Sequence, residues 1–332
     1  MFNMLMCIII VIFSIAIVIL KIIILNKKVS LRGFVLSRII GITTYLLRNH
    51  TKKIIDDYKK INKILKWNVK EKNGKKYSIK NINIDGVEAS MLLPNINLKK
   101  GVIFQLHGGG YEVDLSRNNL YFAKRYYKVL KEFDILTVNY RVAPENKFPA
   151  ALEDVVKSYK WLINNGYKND EIIVVGDSAG GGLAIALVMY LRDNNIPIPK
   201  ALITMSAWTD LTNSGASFSR NYKIDPIFGN SKQSVVYTST YALNMDKKNP
   251  YISPKFGSYK NFPPMLMQVG ENEMLFSDSV DVAYIAKKEN VDVKLHIYSG
   301  MFHIFQKYYL LIPEAKIAWK DIKEFVNKLY NK

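Results

Sequence analysis

Six short apolar runs set the strongest constraint on the fold: Val102 to Leu106, Ile135 to Val138, Ile172 to Val175, Ala201 to Met205, Met265 to Val269 and Val293 to Ile297. They alternate with longer segments, most of helical spacing. Runs this short, bounded by turn residues and separated by helix-length stretches, predict βαβ units and a mostly parallel sheet. Two further β-like runs, Asn81 to Ile84 and Val87 to Leu93, flank an Asp85-Gly86 hairpin signal. The expected fold class is therefore α/β. A length of 332 residues accommodates one large domain with additions. A hydrophobic content of 49% with 12% aromatic residues excludes a disordered or low-complexity chain. Cys7 is the single cysteine, which excludes an internal disulfide and a cysteine-based metal site.

The formal charge of +19 invites a nucleic-acid reading, but its distribution argues against one. Residues 26 to 80 hold 16 Lys/Arg against 3 Asp/Glu, and residues 81 to 332 carry only +5. No nucleic-acid partner is expected. Ahead of the basic region, Met4 to Leu25 is a 22-residue apolar stretch interrupted only by Lys21 near one end, where its ammonium can snorkel to the interface. That length suits an uncleaved transmembrane anchor. A cleaved signal peptide would want a basic start and a small-residue cleavage site, and Met1-Phe2-Asn3 and Leu25-Asn26-Lys27-Lys28 supply neither. Lys27, Lys28, Arg32 and Arg38 follow the span, so the positive-inside rule places the bulk of the chain in the cytoplasm. The same basic cluster would be attracted to anionic lipid, making membrane lipid an expected partner. Asn49-His50-Thr51 is a glycosylation sequon that would matter only in the opposite topology. Residues 34 to 66 read as amphipathic helices. The resulting division is an anchor at 4–25, a basic helical segment at 26–79 and a catalytic α/β unit at 80–332.

The motifs that carry chemistry follow the carboxyl ends of the predicted strands, where α/β proteins place their sites. Gly176-Asp177-Ser178-Ala179-Gly180 sits between the strand Ile172 to Val175 and a helix-like segment from Leu183 to Arg192. This is the strand, tight turn and helix of a nucleophile elbow, with Ser178 as the nucleophile. An ordinary glycine-rich β-to-α turn has the same local pattern, whereas a phosphate loop would need G-x-G-x-x-G or a Gly-Lys-Ser/Thr ending that is absent. His107-Gly108-Gly109-Gly110 follows the strand Val102 to Leu106. Consecutive glycines let backbone N–H groups approach a substrate unobstructed, as an oxyanion hole requires.

With these motifs in place, the chain resembles the hormone-sensitive-lipase branch of the α/β-hydrolases, which includes bacterial carboxylesterases and arylacetamide deacetylase-like enzymes. The resemblance spans roughly residues 80 to 330. It rests on His107-Gly-Gly-Gly-Tyr111, Tyr140-Arg-Val-Ala-Pro-Glu145 continuing to Phe148-Pro-Ala-Ala-Leu-Glu-Asp154, Gly176-Asp-Ser-Ala-Gly-Gly181 and Trp208-Thr-Asp-Leu211. It implies a serine esterase with a cap built from roughly residues 30–75 and 209–250.

A serine nucleophile needs a base, and the chain has four histidines. His50 lies in the basic region, His107 belongs to the glycine loop, and His296 alternates within a strand. His303 follows the last strand and agrees with the chain order nucleophile, acid, histidine. The orienting carboxylate should follow Met265 to Val269, where Glu271, Glu273 and Asp278 compete. Asp278 has a helix-capping explanation and Glu271 one as a structural hydrogen-bonder. The resemblance implies Glu273, in the register of Glu273-Met274-Leu275, although many relatives carry Asp-Pro-Leu there. The expected site is therefore Ser178, His303 and Glu273, with an oxyanion hole drawn from Gly108, Gly109, Gly110 and Ala179, and Tyr111 bordering the acyl pocket. Arg141, Glu145 and Asp177 read as ion-pairing or loop-fixing groups. No metal or cofactor is required. The expected substrate is a small-molecule or lipid-like ester. An arylamide deacetylase with the same residues, or an inactive hydrolase fold used for binding, are the alternatives.

Overall fold

The computed structural model describes residues 28–49, 72–115 and 117–330. The expected anchor at 4–25, His50 and the rest of the basic segment up to residue 71 lie outside the described residues. Among the described residues, no helix is long and apolar enough to cross a membrane.

The described strands are β1 (Lys72–Asn73), β2 (Tyr77–Ile84), β3 (Val87–Pro94), β4 (Gly101–Leu106), β5 (Phe133–Asn139), β6 (Ile172–Asp177), β7 (Ala201–Met205), β8 (Met265–Gly270) and β9 (Val293–Tyr298). They form one sheet in the order β1-β2-β3-β5-β4-β6-β7-β8-β9. β1, β2, β3 and β5 pair antiparallel, and every pairing from β5 to β9 is parallel. The expected mostly parallel α/β sheet is present, with the Asp85-Gly86 hairpin joining β2 to β3.

Parallel strands are covered on both faces, so each must be apolar throughout rather than alternating. β4, β7 and β8 are buried along their whole length. Val102, Phe104 and Leu106 enter one core with Leu152, Val155, Leu183 and Leu187. Ile103, between them on the other face, packs with Phe122, Tyr126, Trp319 and Phe325. Helices α3 (Ala150–Asn164), α4 (Ala179–Asp193) and α7 (Phe276–Lys288) contribute to the first layer. Helices α2 (Arg117–Val129) and α8 (Pro313–Tyr330) form the second.

After β4 the chain turns to β5 on one side and later returns to β6 on the other. The crevice beyond the carboxyl ends of β4 and β6 is therefore the topological switch point, where such sheets bind ligands. Helix α1 (Leu31–Asn49) packs beside α8. Ser30 caps it by accepting the Gly33 N–H at 2.9 Å, while Glu314 accepts the Ser30 N–H at 2.6 Å and its hydroxyl at 3.0 Å. Between β7 and β8 the chain makes two short α-helices, α5 (Ser217–Arg220) and α6 (Val235–Thr238), and a 3-10 turn at Pro254–Phe256.

Candidate active site

The turn from β6 into α4 is tight because its glycines have no room for a side chain. A methyl group on Gly176 would overlap the Gly180 carbonyl, and one on Gly180 would overlap the carbonyls of Leu106 and His107. Ser178 takes φ 54° and ψ −123°, a conformation that costs a non-glycine residue about 1–3 kcal/mol. Its neighbours hold it there: the Ser178 N–H donates to the Met205 carbonyl and its own carbonyl accepts from Trp208, both at 2.9 Å. The strained backbone presents the hydroxyl at the amino end of α4.

His303 lies in the turn after β9, 125 positions along the chain from Ser178, and its Nε2 is 2.9 Å from Ser178 Oγ. Its Nδ1 is 3.0 Å from Glu273 Oε2. A carboxylate can only accept here, so Nδ1 carries the proton and Nε2 is free to accept from the serine. Glu273 is fully buried, and its other oxygen accepts the Gly270 N–H at 2.5 Å and the Ser206 hydroxyl at 2.8 Å.

The other two carboxylates go elsewhere. Glu271 accepts the Ser299 hydroxyl at 2.6 Å and the Gly300 N–H at 3.2 Å. Asp278 does not cap its own helix as expected. Fully buried, it accepts the N–H groups of Thr209 and Asp210 at 2.7 and 2.9 Å, anchoring the segment after β7. That burial holds its carboxyl well above the usual range.

The glycine loop lies across the mouth from Ser178. The N–H groups of Gly109, Gly110 and Ala179 have no acceptor among the described residues and remain available. Gly108 sits tight against the Asp177 carboxylate, whose oxygen a methyl group at this position would overlap. Burial pushes that carboxyl up to about 6 against the pull of the Gly108 N–H and the nearby His303 and Lys307. His107 is fully buried, stacks on Tyr140 at 4.2 Å, and has its Nδ1 2.8 Å from the Gly108 carbonyl. Burial lowers its pKa to about 4, so it is a neutral structural ring at pH 7.

Tyr111 corrects another expectation. Instead of bordering an acyl pocket it turns inward at φ 62°, is only 2% exposed, and stacks on Tyr241 at 3.9 Å. Its large ring gains more from core packing than a pocket wall would provide. Arg141 pairs with Asp154 at 2.8 Å and Glu153 at 3.0 Å, while Glu145 is solvent-exposed. His296 is 2.9 Å from Asp321 on edge strand β9, away from the serine.

Several groups around the site carry no sequence signal. Ser206 bridges two loops, donating to Glu273 and accepting the Ile304 N–H at 3.2 Å. Asn221 donates to the carbonyls of Glu271 and Glu273 at 2.9 and 2.7 Å. Asp225 accepts from Met274, Ile227 and Phe228, fastening the segment between β7 and β8 beside the acid loop. This places the Phe228 ring 4.5 Å from that of His303. Val235 packs against Gly110, and Ser239 donates to the Gly110 carbonyl at 3.1 Å.

Comparison with known proteins agrees with this geometry. A family model described as the alpha/beta hydrolase fold matches residues 103–307. An esterase from Acinetobacter venetianus is 33% identical over 230 residues, 69% of this chain and 75% of the relative. An acetyl-hydrolase from Streptomyces hygroscopicus is 32% identical over 216 residues, 65% of this chain and 72% of the relative. The crystal structure of an esterase from the bacterial hormone-sensitive lipase family superposes with a TM-score of 0.72 at 32% identity, covering 78% of this chain and 86% of that one. With its parallel sheet, its serine elbow and these relatives, the chain belongs to the α/β-hydrolase family, within the hormone-sensitive-lipase-like esterases.

Proposed function

We propose that Ser178, His303 and Glu273 are the nucleophile, base and orienting acid of this carboxylic-ester hydrolase, and that its substrates are short acyl esters. The observation that carries the assignment is the unbroken relay from Ser178 Oγ to His303 Nε2 at 2.9 Å and from Nδ1 to Glu273 at 3.0 Å. In the first step His303 removes the hydroxyl proton as Ser178 attacks the ester carbonyl, and Glu273 stabilises the resulting imidazolium. The oxyanion forms beside the N–H groups of Gly109, Gly110 and Ala179, each worth about 10² to 10³ in rate. The imidazolium then protonates the departing alcohol. Water, deprotonated by the same ring, attacks the acyl-enzyme to release the acid and restore Ser178.

The groups beside the reacting atoms, Phe228 against His303 and Val235 against Gly110, are apolar and suit an acyl group. The similarity to an acetyl-hydrolase supports the short-acyl reading. The apolar stretch Met4 to Leu25 and the basic residues after it support attachment of the enzyme to a membrane. Carbonate-resistant sedimentation of the full chain with membranes is the expected result.

The assignment is tested with p-nitrophenyl esters of increasing acyl length and a fluorophosphonate probe. Hydrolysis should be fastest for the shortest chains, and Ser178→Ala should lose about 10³-fold or more in kcat together with all labelling. Activity surviving in Ser178→Ala would remove the serine from the mechanism, and a profile rising with acyl length would remove the short-acyl reading.

A further inference from the structure

Helix α1 has an unusual distribution of side chains. Its inner side packs Phe34, Leu36 and Ile40 against the cluster of Phe302, Phe305 and Ile312. On an ordinary surface helix the opposite side is polar. Here Leu31, Val35, Ile39, Ile42 and Leu46 recur every three or four residues along the outer side, and each is between 43% and 61% exposed. The surface continues across a groove of about 340 Å³ to Ile224, which is 49% exposed. Arg38 and Lys223 line that groove, and its carboxylate, Asp225, is already engaged by three backbone N–H groups. An apolar ridge next to cations that have no carboxylate ion pair among the described residues matches the boundary between acyl chains and anionic headgroups.

Two further observations select the occupant. The apolar stretch Met4 to Leu25 ends six positions before Leu31, so a bilayer holding that stretch lies within roughly 20 Å of α1. A second copy is a poorer fit, because a two-fold pairing of this face would bring Arg38 and Lys223 toward their own symmetry mates. We propose that the outer face of α1, with Ile224 and the cations Arg38 and Lys223, docks on an anionic phospholipid bilayer. The docking sets the active-site loops at the membrane, since Phe228, the residue against His303, lies four positions beyond Ile224. Amphiphilic esters would then reach Ser178 from the lipid phase. This proposal rests on the membrane attachment proposed above for the nearness of the bilayer, and the experiment separates the two.

The full chain carrying Cys7→Ser and Ile39→Cys is labelled with an environment-sensitive fluorophore at position 39. It is mixed with phosphatidylcholine vesicles with and without phosphatidylglycerol. Flotation reports attachment, while a blue shift and quenching by doxyl-labelled lipid report docking. Docking predicts both fluorescence changes, stronger with phosphatidylglycerol and reduced by Arg38→Glu/Lys223→Glu. It also predicts that Val35→Glu/Ile39→Glu loses about tenfold or more in rate on a vesicle-embedded ester while staying within about twofold of wild type on p-nitrophenyl acetate. Flotation without a spectral change overturns docking alone, and neither signal overturns both readings. A spectral change without stable flotation keeps docking and removes the anchor. A shift that follows protein concentration in the absence of lipid assigns the face to a second copy and overturns the proposal.

Discussion

The Ser206 hydroxyl serves two loops at once, holding Glu273 Oε1 at 2.8 Å while accepting the Ile304 N–H next to His303 at 3.2 Å. Removing it leaves the buried Glu273 Oε1 with the Gly270 N–H as its remaining donor among the described residues. A lost hydrogen bond to a charged group is worth about 1.5–3 kcal/mol. Ser206→Ala should therefore lower kcat on p-nitrophenyl acetate by roughly 10-fold to 100-fold with KM little changed. An unchanged kcat would show that Gly270 and Asn221 hold the acid loop without it. Nothing in Met205-Ser206-Ala207 marks this serine, because its partners lie 67 and 98 residues away. Tyr111 teaches the complementary lesson. Its place beside the glycine loop was legible, but the side to which its ring turns was fixed by the positive φ and by the Tyr241 ring waiting in the core.

At the scale of elements, the loop after β4 and the turn after β6 carry two titrations of opposite sign. His107 takes up a proton near pH 6.5 when unfolded but only near 4 when folded. Its contribution is full above pH 6.5 and falls by up to about 3 kcal/mol as the pH drops to 4. Asp177 runs the other way: its folded value of about 6 exceeds the ordinary 3.8, so its contribution is full below 3.8 and is lost as pH rises through 6. The two largely offset each other between pH 4 and 6. Relative to wild type, His107→Gln should become progressively less stable as pH rises across that window, and Asp177→Asn progressively more stable. Urea melts at half-unit pH intervals would show the diverging slopes, and parallel slopes would contradict the opposition. These elements were readable in advance because strand length, glycine punctuation and helical spacing are local properties. The two-residue β1 and the two four-residue helices between β7 and β8 were not, since segments so short owe their form to the surfaces they pack on.

Across the whole molecule, α1 is joined to the catalytic body through Ser30 and Glu314, 284 residues apart. Glu314→Ala removes the acceptor of both Ser30 bonds and should destabilise the packing of α1 by about 1–3 kcal/mol. Hydrogen exchange should quicken over residues 31–41 while the strands of the sheet keep their protection, and a uniform response would mean that α1 unfolds only with the rest. By itself the amino-acid sequence determined the strand order along the chain, the strained serine turn, the glycine loop and the histidine after the last strand. Those features follow from apolar periodicity and turn chemistry, which act over a few residues. Only the tertiary structure decided which carboxylate meets His303, which N–H groups are left without partners, that Tyr111 faces inward, and that α1 exposes an apolar side. Each of these depends on which atoms distant segments bring to the same place, and that is set by sheet register and by competition for burial across the whole fold.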